Sequence, residues 1–266
     1  MNLSRTAQRL LAVITFGVLA LIYVPLLVVV ANSVNPSQSM SWPPDGVTFE
    51  WWRRAWHSTG VREALLTSIQ VAVVATAIAL VLGTLLALAL QRYSFFGKDA
   101  VNLLVILPIA LPGVVTGIAL NNGFKGILGA DLALWTIVVA HATFCIVTVF
   151  NNVQARLRRL GTSLEEASAD LGAGVLTTFR LVTLPQLRSA LLAGGMLAFA
   201  LSFDEIIVTT FTAGRGATTL PIWILNNMFR PNQAPVVNVV AVVLIVFSLI
   251  PVWLAQRLSS DVEAAR

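Results

Sequence analysis

The sequence contains few charged residues. Only 11% of its 266 residues are Asp, Glu, Lys or Arg, whereas 57% are hydrophobic and the mean hydropathy is +0.85. Soluble domains usually carry about 25% charged residues, because charge keeps a surface hydrated. A single cysteine excludes a disulfide-framed fold, and the excess of apolar residues excludes a disordered chain. A soluble enzyme is excluded by the same imbalance, which leaves an integral membrane protein.

Residue sets that would support catalysis or cofactor binding are also missing. The sequence has no G-x4-G-K-[ST] phosphate loop. His141 and Cys145 share one helix face, but two ligands do not make a zinc site, so packing is the favoured interpretation. The net charge of +5 is not accompanied by basic runs interleaved with aromatic residues. We therefore predict no catalytic residues, no metal, no cofactor and no nucleic-acid partner.

Six uniformly apolar segments are present, at about residues 11–32, 64–90, 101–120, 133–151, 190–213 and 236–256. A membrane-spanning helix needs ~20 apolar residues, and these runs are too long and too solidly apolar for membrane β-strands. They predict one all-α transmembrane domain over residues 1–266, with six helices in contact with lipid. In the third segment, Pro108, Pro112, Gly113 and Gly117 predict an irregularity, and a simple kink is favoured over a break that lines a pathway.

The distribution of basic residues predicts the orientation. Eleven of the 17 lie in the N-terminus, the loops 91–100 and 152–189, and the C-terminal tail. Because positive charge favours the cytoplasmic side, both termini and the long loop 152–189 are expected there. The opposite loop 33–63 contains four Trp residues, and a short amphipathic helix over 49–57 is predicted in it. This helix is interpreted as a lipid anchor, with contact to an extracytoplasmic partner as the alternative.

The central loop 152–189 contains the most specific pattern. Ser163 and Glu166 have capping-box spacing, which predicts a helix starting at Leu164, and Gly172 and Gly174 predict its end. A second helical stretch is expected from Thr177 towards Leu184-Pro185. Short exposed helices are marginal in water, so this helix is expected to dock into a groove on another protein.

The same residues resemble the EAA loop of ABC importer permeases, E-A-A-x3-G-x9-I-x-L-P. Here the pattern reads Glu166-Ala167-Ser168, Gly172 and Val182-Thr183-Leu184-Pro185, with Ser168 in place of Ala and Val182 in place of Ile. The resemblance implies a MetI-like fold and a coupling helix that contacts an ATPase. The residues assigned to this coupling are Glu165, Glu166, Ala167, Ser168, Asp170, Leu171, Gly172, Leu184 and Pro185.

Further segments resemble the second permease of spermidine/putrescine importers. They are Arg92-Tyr93 with Gly97-Lys98, His141-Ala142-Thr143-Phe144-Cys145, Leu201-Ser202-Phe203-Asp204-Glu205, Thr219-Leu220-Pro221, and Phe229-Arg230-Pro231-Asn232-Gln233 with Pro235-Val236-Val237-Asn238. The resemblance implies a multi-pass protein of the bacterial inner membrane that is not an enzyme. It also implies four kinds of partner: a second six-helix permease, two ATPase subunits, an extracytoplasmic solute-binding protein and a polyamine substrate. Another cationic or small organic solute is the alternative substrate.

Asp204 and Glu205 are the only acids inside any of the apolar segments. An intramembrane carboxylate is costly and marks a pathway or an ion site. In a continuous helix the two side chains would point about 100° apart, so one is expected to face the substrate pathway and the other a neighbouring helix. The alternative is a carboxylate hydrogen-bonded to a partner permease or to backbone at a helix break. A proton-coupled secondary transporter using this pair is disfavoured, because inverted repeats are not evident and the EAA spacing would be unexplained.

Overall fold

The computed structural model describes residues 4–247, and helices dominate them. In chain order these are α1 (Arg5–Ser33), α2 (Glu50–His57), α3 (Thr59–Arg92), α4 (Lys98–Ala110), α5 (Gly113–Asn122), α6 (Leu134–Leu160), α7 (Ser163–Asp170), α8 (Val175–Thr178), α9 (Leu184–Phe203), α10 (Ile207–Thr212), α11 (Leu220–Asn227) and α12 (Ala234–Phe247). Two π-helical segments, Gly123–Ile127 and Phe179–Thr183, follow α5 and α8.

Four helical stretches are long and apolar enough to cross a membrane: α1, α3, α6, and the stretch Val175–Phe203 that ends in α9. They cover the first, second and fourth predicted spans and most of the fifth. The sixth predicted span begins in α12 and continues outside the described residues. The number of six spans and the location of both termini stay predictions, as does the single domain over residues 1–266.

The third predicted span is broken rather than kinked. The chain bends by 106° at Leu111-Pro112, between α4 and the helical stretch Gly113–Ile127 that begins with α5. Pro112 lacks an N–H group and disfavours helical backbone at the residue before it, and Leu111 is accordingly extended with ψ 144°. The expectation of a simple kink is therefore wrong, because the proline ends one helix and a second helix starts in a new direction.

The fifth predicted span is also discontinuous. Helix α9 ends at Phe203, and Asp204 to Ile206 separate it from α10. The expectation that Asp204 and Glu205 occupy adjacent positions of one continuous helix is wrong, since both lie in the break. The alternative of a carboxylate hydrogen-bonded to backbone at a helix break agrees with Glu205, which accepts from the N–H of Val208.

The described residues form two compact units, one of residues 63–222 and one of residues 4–62 with 223–247. In the larger unit α6 packs along α9, and its core is completed by buried alanines of α3 such as Ala79 and Ala87. Phe150 and Leu187 are fully buried between these helices. Small residues on α3 allow the helices to approach closely, as is common in membrane bundles.

In the smaller unit α2 packs its inner face against α12. Trp51 and Ala55 form a buried cluster with Val236 and Val239, and the indole N–H of Trp51 donates to the carbonyl of Asn35 at 2.7 Å. The predicted short helix in this loop is thus confirmed as α2. Trp42 and Trp56 are exposed, and the lipid-anchor interpretation of the segment stays a prediction.

Helices α5 and α10, which follow the two breaks, pack against each other. A Cβ atom on Gly117 would lie 2.7 Å from Cδ2 and 3.1 Å from Cβ of Phe211. The amide of Asn121, one turn further along, donates to the carbonyl of Phe211 at 2.5 Å. One face of α5 is therefore fitted closely to α10, and glycine at position 117 permits that approach.

We expect Gly117→Ala to destabilise the protein by about 1–3 kcal/mol, because the added methyl group overpacks the contact with Phe211. Gly123→Ala is the matched control: Gly123 has helical backbone and no atom within 4 Å of the added Cβ. Thermal unfolding in detergent measures both variants. Equal melting temperatures for the two would contradict the close fit of α5 on α10.

Candidate functional site

Asp204 and Glu205 lie in the break between α9 and α10, and their carboxylates have different surroundings. Asp204 caps the C-terminus of α9, with its backbone N–H donating to the carbonyl of Ala200 at 3.2 Å. Its side chain is exposed and has no hydrogen-bond or ionic partner among residues 4–247. The Asp204 carboxylate is therefore available to a ligand.

Glu205 is engaged with the backbone of the break. One carboxylate oxygen accepts a hydrogen bond from the N–H of Val208 at 2.8 Å, and its own carbonyl accepts from the hydroxyl of Thr209 at 2.9 Å. A carboxylate at the start of a helix satisfies N–H groups that have no partner within the helix. Glu205 thus anchors the first turn of α10, which is a structural role.

His141 of α6 joins the two sides of the break. Its ring is fully buried, with Nδ1 2.8 Å from the hydroxyl of Ser202 on α9 and Nε2 2.9 Å from the hydroxyl of Thr209 on α10. Because the Thr209 hydroxyl donates to the carbonyl of Glu205, it accepts from Nε2–H, and the neutral ring accepts from Ser202 at Nδ1. The sequence-based interpretation of His141 as a packing residue missed this bridge, although a polar ring in an apolar span could have signalled it.

Metal binding finds no support at this site or elsewhere in the described part of the chain. No group of three or more His, Cys, Asp or Glu side chains there could hold an ion. Cys145, one turn after His141, is buried and directs its thiol at the carbonyl of Ala198, 3.3 Å away. Its contact is consistent with packing between α6 and α9.

Helix α7 forms the centre of the predicted coupling element. It starts at Ser163, with Thr162 as its N-cap residue, and the Thr162 hydroxyl donates to the Glu166 carboxylate at 2.6 Å. The predicted Ser163–Glu166 capping box is wrong, because the helix starts one residue earlier than expected. The predicted stop is confirmed: Gly172 has φ +81°, and the N–H groups of Gly172 and Ala173 donate to the carbonyls of Ala169 and Ser168, which is a Schellman motif. The following helix begins at Val175, two residues before the expected start.

The outer face of the coupling element is open. Helix α7 has no buried residue, and Glu166, Ala167, Asp170 and Leu171 are all exposed. Three neighbouring apolar side chains are also largely exposed: Leu171, Val175 and Leu176, at 89%, 80% and 79%. An apolar patch of this kind next to carboxylates is typical of a protein-docking surface.

Other predicted coupling residues face inward. Glu165 forms an ion pair with Arg92 at the end of α3 and accepts a hydrogen bond from the Thr183 hydroxyl at 2.6 Å. The hydroxyl of Ser168 lies 2.9 Å from the hydroxyl of Thr178 on α8. Leu184 and Pro185 are half-buried at the start of α9. The nine residues therefore divide into an exposed set and an inward-facing set, a distinction that the motif alone did not predict.

Comparison with known families agrees with this architecture. Residues 79–264 match the family model for the binding-protein-dependent transport system inner membrane component. The chain belongs to this family. The permease is 33% identical over 246 residues to the spermidine/putrescine transport system permease protein PotC of Escherichia coli K12, covering 92% of each chain. It is also 33% identical to the putrescine transport system permease protein PotI of that strain, covering 84% of this chain and 81% of the relative.

Solved structures support the fold. The permease superposes with a TM-score of 0.71 and 17% identity on a bacterial ABC transporter involved in the import of alginate, covering 98% and 99% of the two chains. A methionine ABC transporter, MetNI, gives a TM-score of 0.59 with 19% identity over 80% and 95%. The permease is thus an all-helical, MetI-like ABC importer subunit of the bacterial inner membrane.

We expect His141→Leu to lower the free energy of unfolding of the permease by about 1–3 kcal/mol, because the hydroxyls of Ser202 and Thr209 lose a buried partner. The double variant His141→Leu, Ser202→Ala also removes the hydroxyl that is left without an acceptor and should recover part of the lost stability, while the Thr209 hydroxyl keeps its hydrogen bond to the carbonyl of Glu205. Thermal melting in detergent is the measurement. A single variant as stable as the wild type would contradict the bridging role of His141.

Proposed function

We propose that this permease subunit carries polyamines of the spermidine/putrescine class and forms half of their translocation pathway. The observation that carries the proposal is the exposed Asp204 carboxylate at the break in the fifth span, without a partner among the described residues. An acid in a membrane span is expensive unless it serves a pathway. A carboxylate complements the positive charge of an amine, and the names of the relatives PotC and PotI point to the same solutes.

A second solute class is supported by another relative. The permease is 30% identical over 264 residues to a putative 2-aminoethylphosphonate transport system permease protein, PhnV, of Salmonella choleraesuis, covering 95% and 97% of the two chains. An aminophosphonate also carries an amine that Asp204 could bind, but its phosphonate would meet the same carboxylate with like charge. The proposal therefore favours polyamines, and competition between the two solutes distinguishes them.

The exposed face of α7 is proposed to dock on an ATPase subunit. Glu166, Ala167, Asp170 and Leu171 would contact the partner, together with Val175 and Leu176, whose side chains are exposed beside them. In this scheme ATP is hydrolysed by two separate ATPase subunits, and this chain performs no covalent chemistry. A second permease supplies the other half of the pathway, and an extracytoplasmic binding protein delivers the solute.

The mechanism then assigns a role to each element. Closure of the ATPase pair displaces the coupling helices, and the two permeases rock from an inward-open to an outward-open state. The binding protein releases its polyamine into the opened pathway, where Asp204 offsets the charge of the amine. Glu205 and His141 maintain the backbone geometry of the break. The Asp204 carboxylate therefore stays exposed to the pathway while α9 and α10 move.

We expect Asp204→Asn to reduce polyamine uptake by about tenfold or more, since a charge-assisted contact is lost. Glu205→Gln is the matched control: the amide oxygen of Gln still accepts from the N–H of Val208, so uptake should fall much less. Uptake of labelled spermidine by the assembled complex in proteoliposomes measures both, with 2-aminoethylphosphonate as competitor. Wild-type uptake by Asp204→Asn would exclude a role for this carboxylate in polyamine transport.

We expect Glu166→Ala to weaken association of the ATPase with the permease, while membrane insertion stays normal. Glu166→Gln keeps an acceptor for the Thr162 hydroxyl and removes only the charge, so it separates loss of the ion from fraying of α7. Co-purification in mild detergent measures the amount of ATPase retained. If Glu166→Ala retained as much ATPase as the wild type and imported at the same rate, the docking role of Glu166 would be excluded.

A further inference from the structure

Three side chains from three different elements meet beneath the coupling helix. Arg92 is the last residue of α3, Glu165 lies in the first turn of α7, and Thr183 is the last residue before α9. Arg92 forms an ion pair with Glu165 through Nη2 and lies 3.1 Å from the hydroxyl of Thr183. That hydroxyl donates to the same Glu165 oxygen at 2.6 Å. The three side chains form one closed polar network, here called the α3–α7–α9 junction.

The junction is better protected from solvent than the other ion pairs of the described residues. The side chains of Arg92 and Glu165 are 26% and 23% exposed, and Thr183 is 2% exposed. The remaining pairs join Glu50 to Arg53 and Arg54 within α2, and both arginines are more than half exposed. Partial burial lowers screening by salt, and polar groups joined in a hydrogen-bonded network interact more strongly than an isolated pair. Among residues 4–247, the junction contains the only ion pair between separate helices.

Helix α7 makes polar contacts with the rest of the protein through Glu165 and Ser168. The helix has no buried residue, so an apolar core does not fix its position. Among residues 4–247, one further side-chain hydrogen bond connects α7 to another element. It joins Ser168 to Thr178 on the neighbouring short helix α8. Among the hydrogen bonds and ion pairs of residues 4–247, those of Glu165 connect α7 to the end of the long membrane-spanning helix α3 and to Thr183, the residue before α9.

We propose that the α3–α7–α9 junction transmits displacement of the coupling helix to α3 and α9, with Arg92 and Glu165 as positioning residues. The inference rests on the proposed function, in which an ATPase moves α7. A push on α7 reaches α3 through the ion pair and α9 through Thr183. Without the junction, α7 would shift with the ATPase while the spans stayed in place, so ATP would be hydrolysed without import.

Charge reversal tests this role in the complete complex. The variants are Arg92→Glu, Glu165→Arg and the double reversal, each assembled in proteoliposomes with the ATPase, the second permease and the binding protein. Arg188→Glu is the control, because Arg188 is an exposed residue of α9 with no side-chain partner among the described residues. The measured quantity is solute imported per ATP hydrolysed. A purely structural contact would change stability without changing this ratio.

We expect each single reversal to lower the ratio by about tenfold, a size usual for coupling between contacting charged groups. The double reversal should restore the ratio to within about threefold of the wild type, and Arg188→Glu should leave it unchanged. Single variants with a wild-type ratio, or a double variant as impaired as the worse single, would overturn the proposal. If a single reversal fails to assemble, Thr183→Val decides: it keeps both charges and removes the bridging hydroxyl, so an unchanged ratio rejects transmission through Thr183 to α9.

Failure of the proposed substrate is distinguishable from failure of this inference. A wild-type complex that hydrolyses ATP but imports no polyamine would contradict the proposed solute class. The ratio would then be measured with 2-aminoethylphosphonate. Restoration of this ratio by the double reversal would support the role of the junction, and its absence would reject it. A wild-type chain that binds no ATPase would contradict the proposed function itself.

Discussion

The structure depends on one constraint: inside the hydrocarbon region each backbone N–H and C=O group needs a partner from the protein or from a water-filled cavity. Two breaks, at Leu111-Pro112 and at Asp204 to Ile206, strain this constraint. The six-residue helix α10 is too short to be stable alone, and side chains complete it at both ends. Glu205 accepts from the N–H of Val208 at its start, while Asn121 and Thr136 donate to the carbonyls of Phe211 and Thr212 at its end.

The same constraint separates the roles of two adjacent acids. Satisfying the backbone at the start of α10 engages Glu205, and the bridge from His141 to Ser202 and Thr209 holds both sides of the break in one geometry. Asp204 takes no part in either task. The fold therefore engages one carboxylate with its own backbone and leaves the other exposed.

Much of this fold could be predicted from the sequence, because long apolar runs fix α1, α3 and α6 and the EAA spacing locates α7. Proline and glycine in the third segment predict an irregularity there, but not a bend of 106°. The break at Asp204 could not be located, since an acid pair within an apolar run fits a continuous helix equally well. The partners of His141 lie 61 and 68 residues away, and the inward direction of Glu165 depends on how α7 is rotated relative to α3. Tertiary packing decides both, and local sequence patterns do not encode it.

The division between Glu165 and Glu166 follows from the geometry of a helix. Adjacent side chains point about 100° apart, so when Glu165 faces Arg92, Glu166 must face away from the junction. A helix that lacks buried apolar contacts opens and shifts at low cost, and the exposed Leu171, Val175 and Leu176 leave its packing incomplete. The missing apolar contacts can come from a docked subunit, while the polar junction keeps the helix connected to α3 and α9. Helix α7 can thus pack against a docked subunit while it stays attached to α3 and α9 of its own chain, and this arrangement suits it to transmit movement from the subunit to these helices.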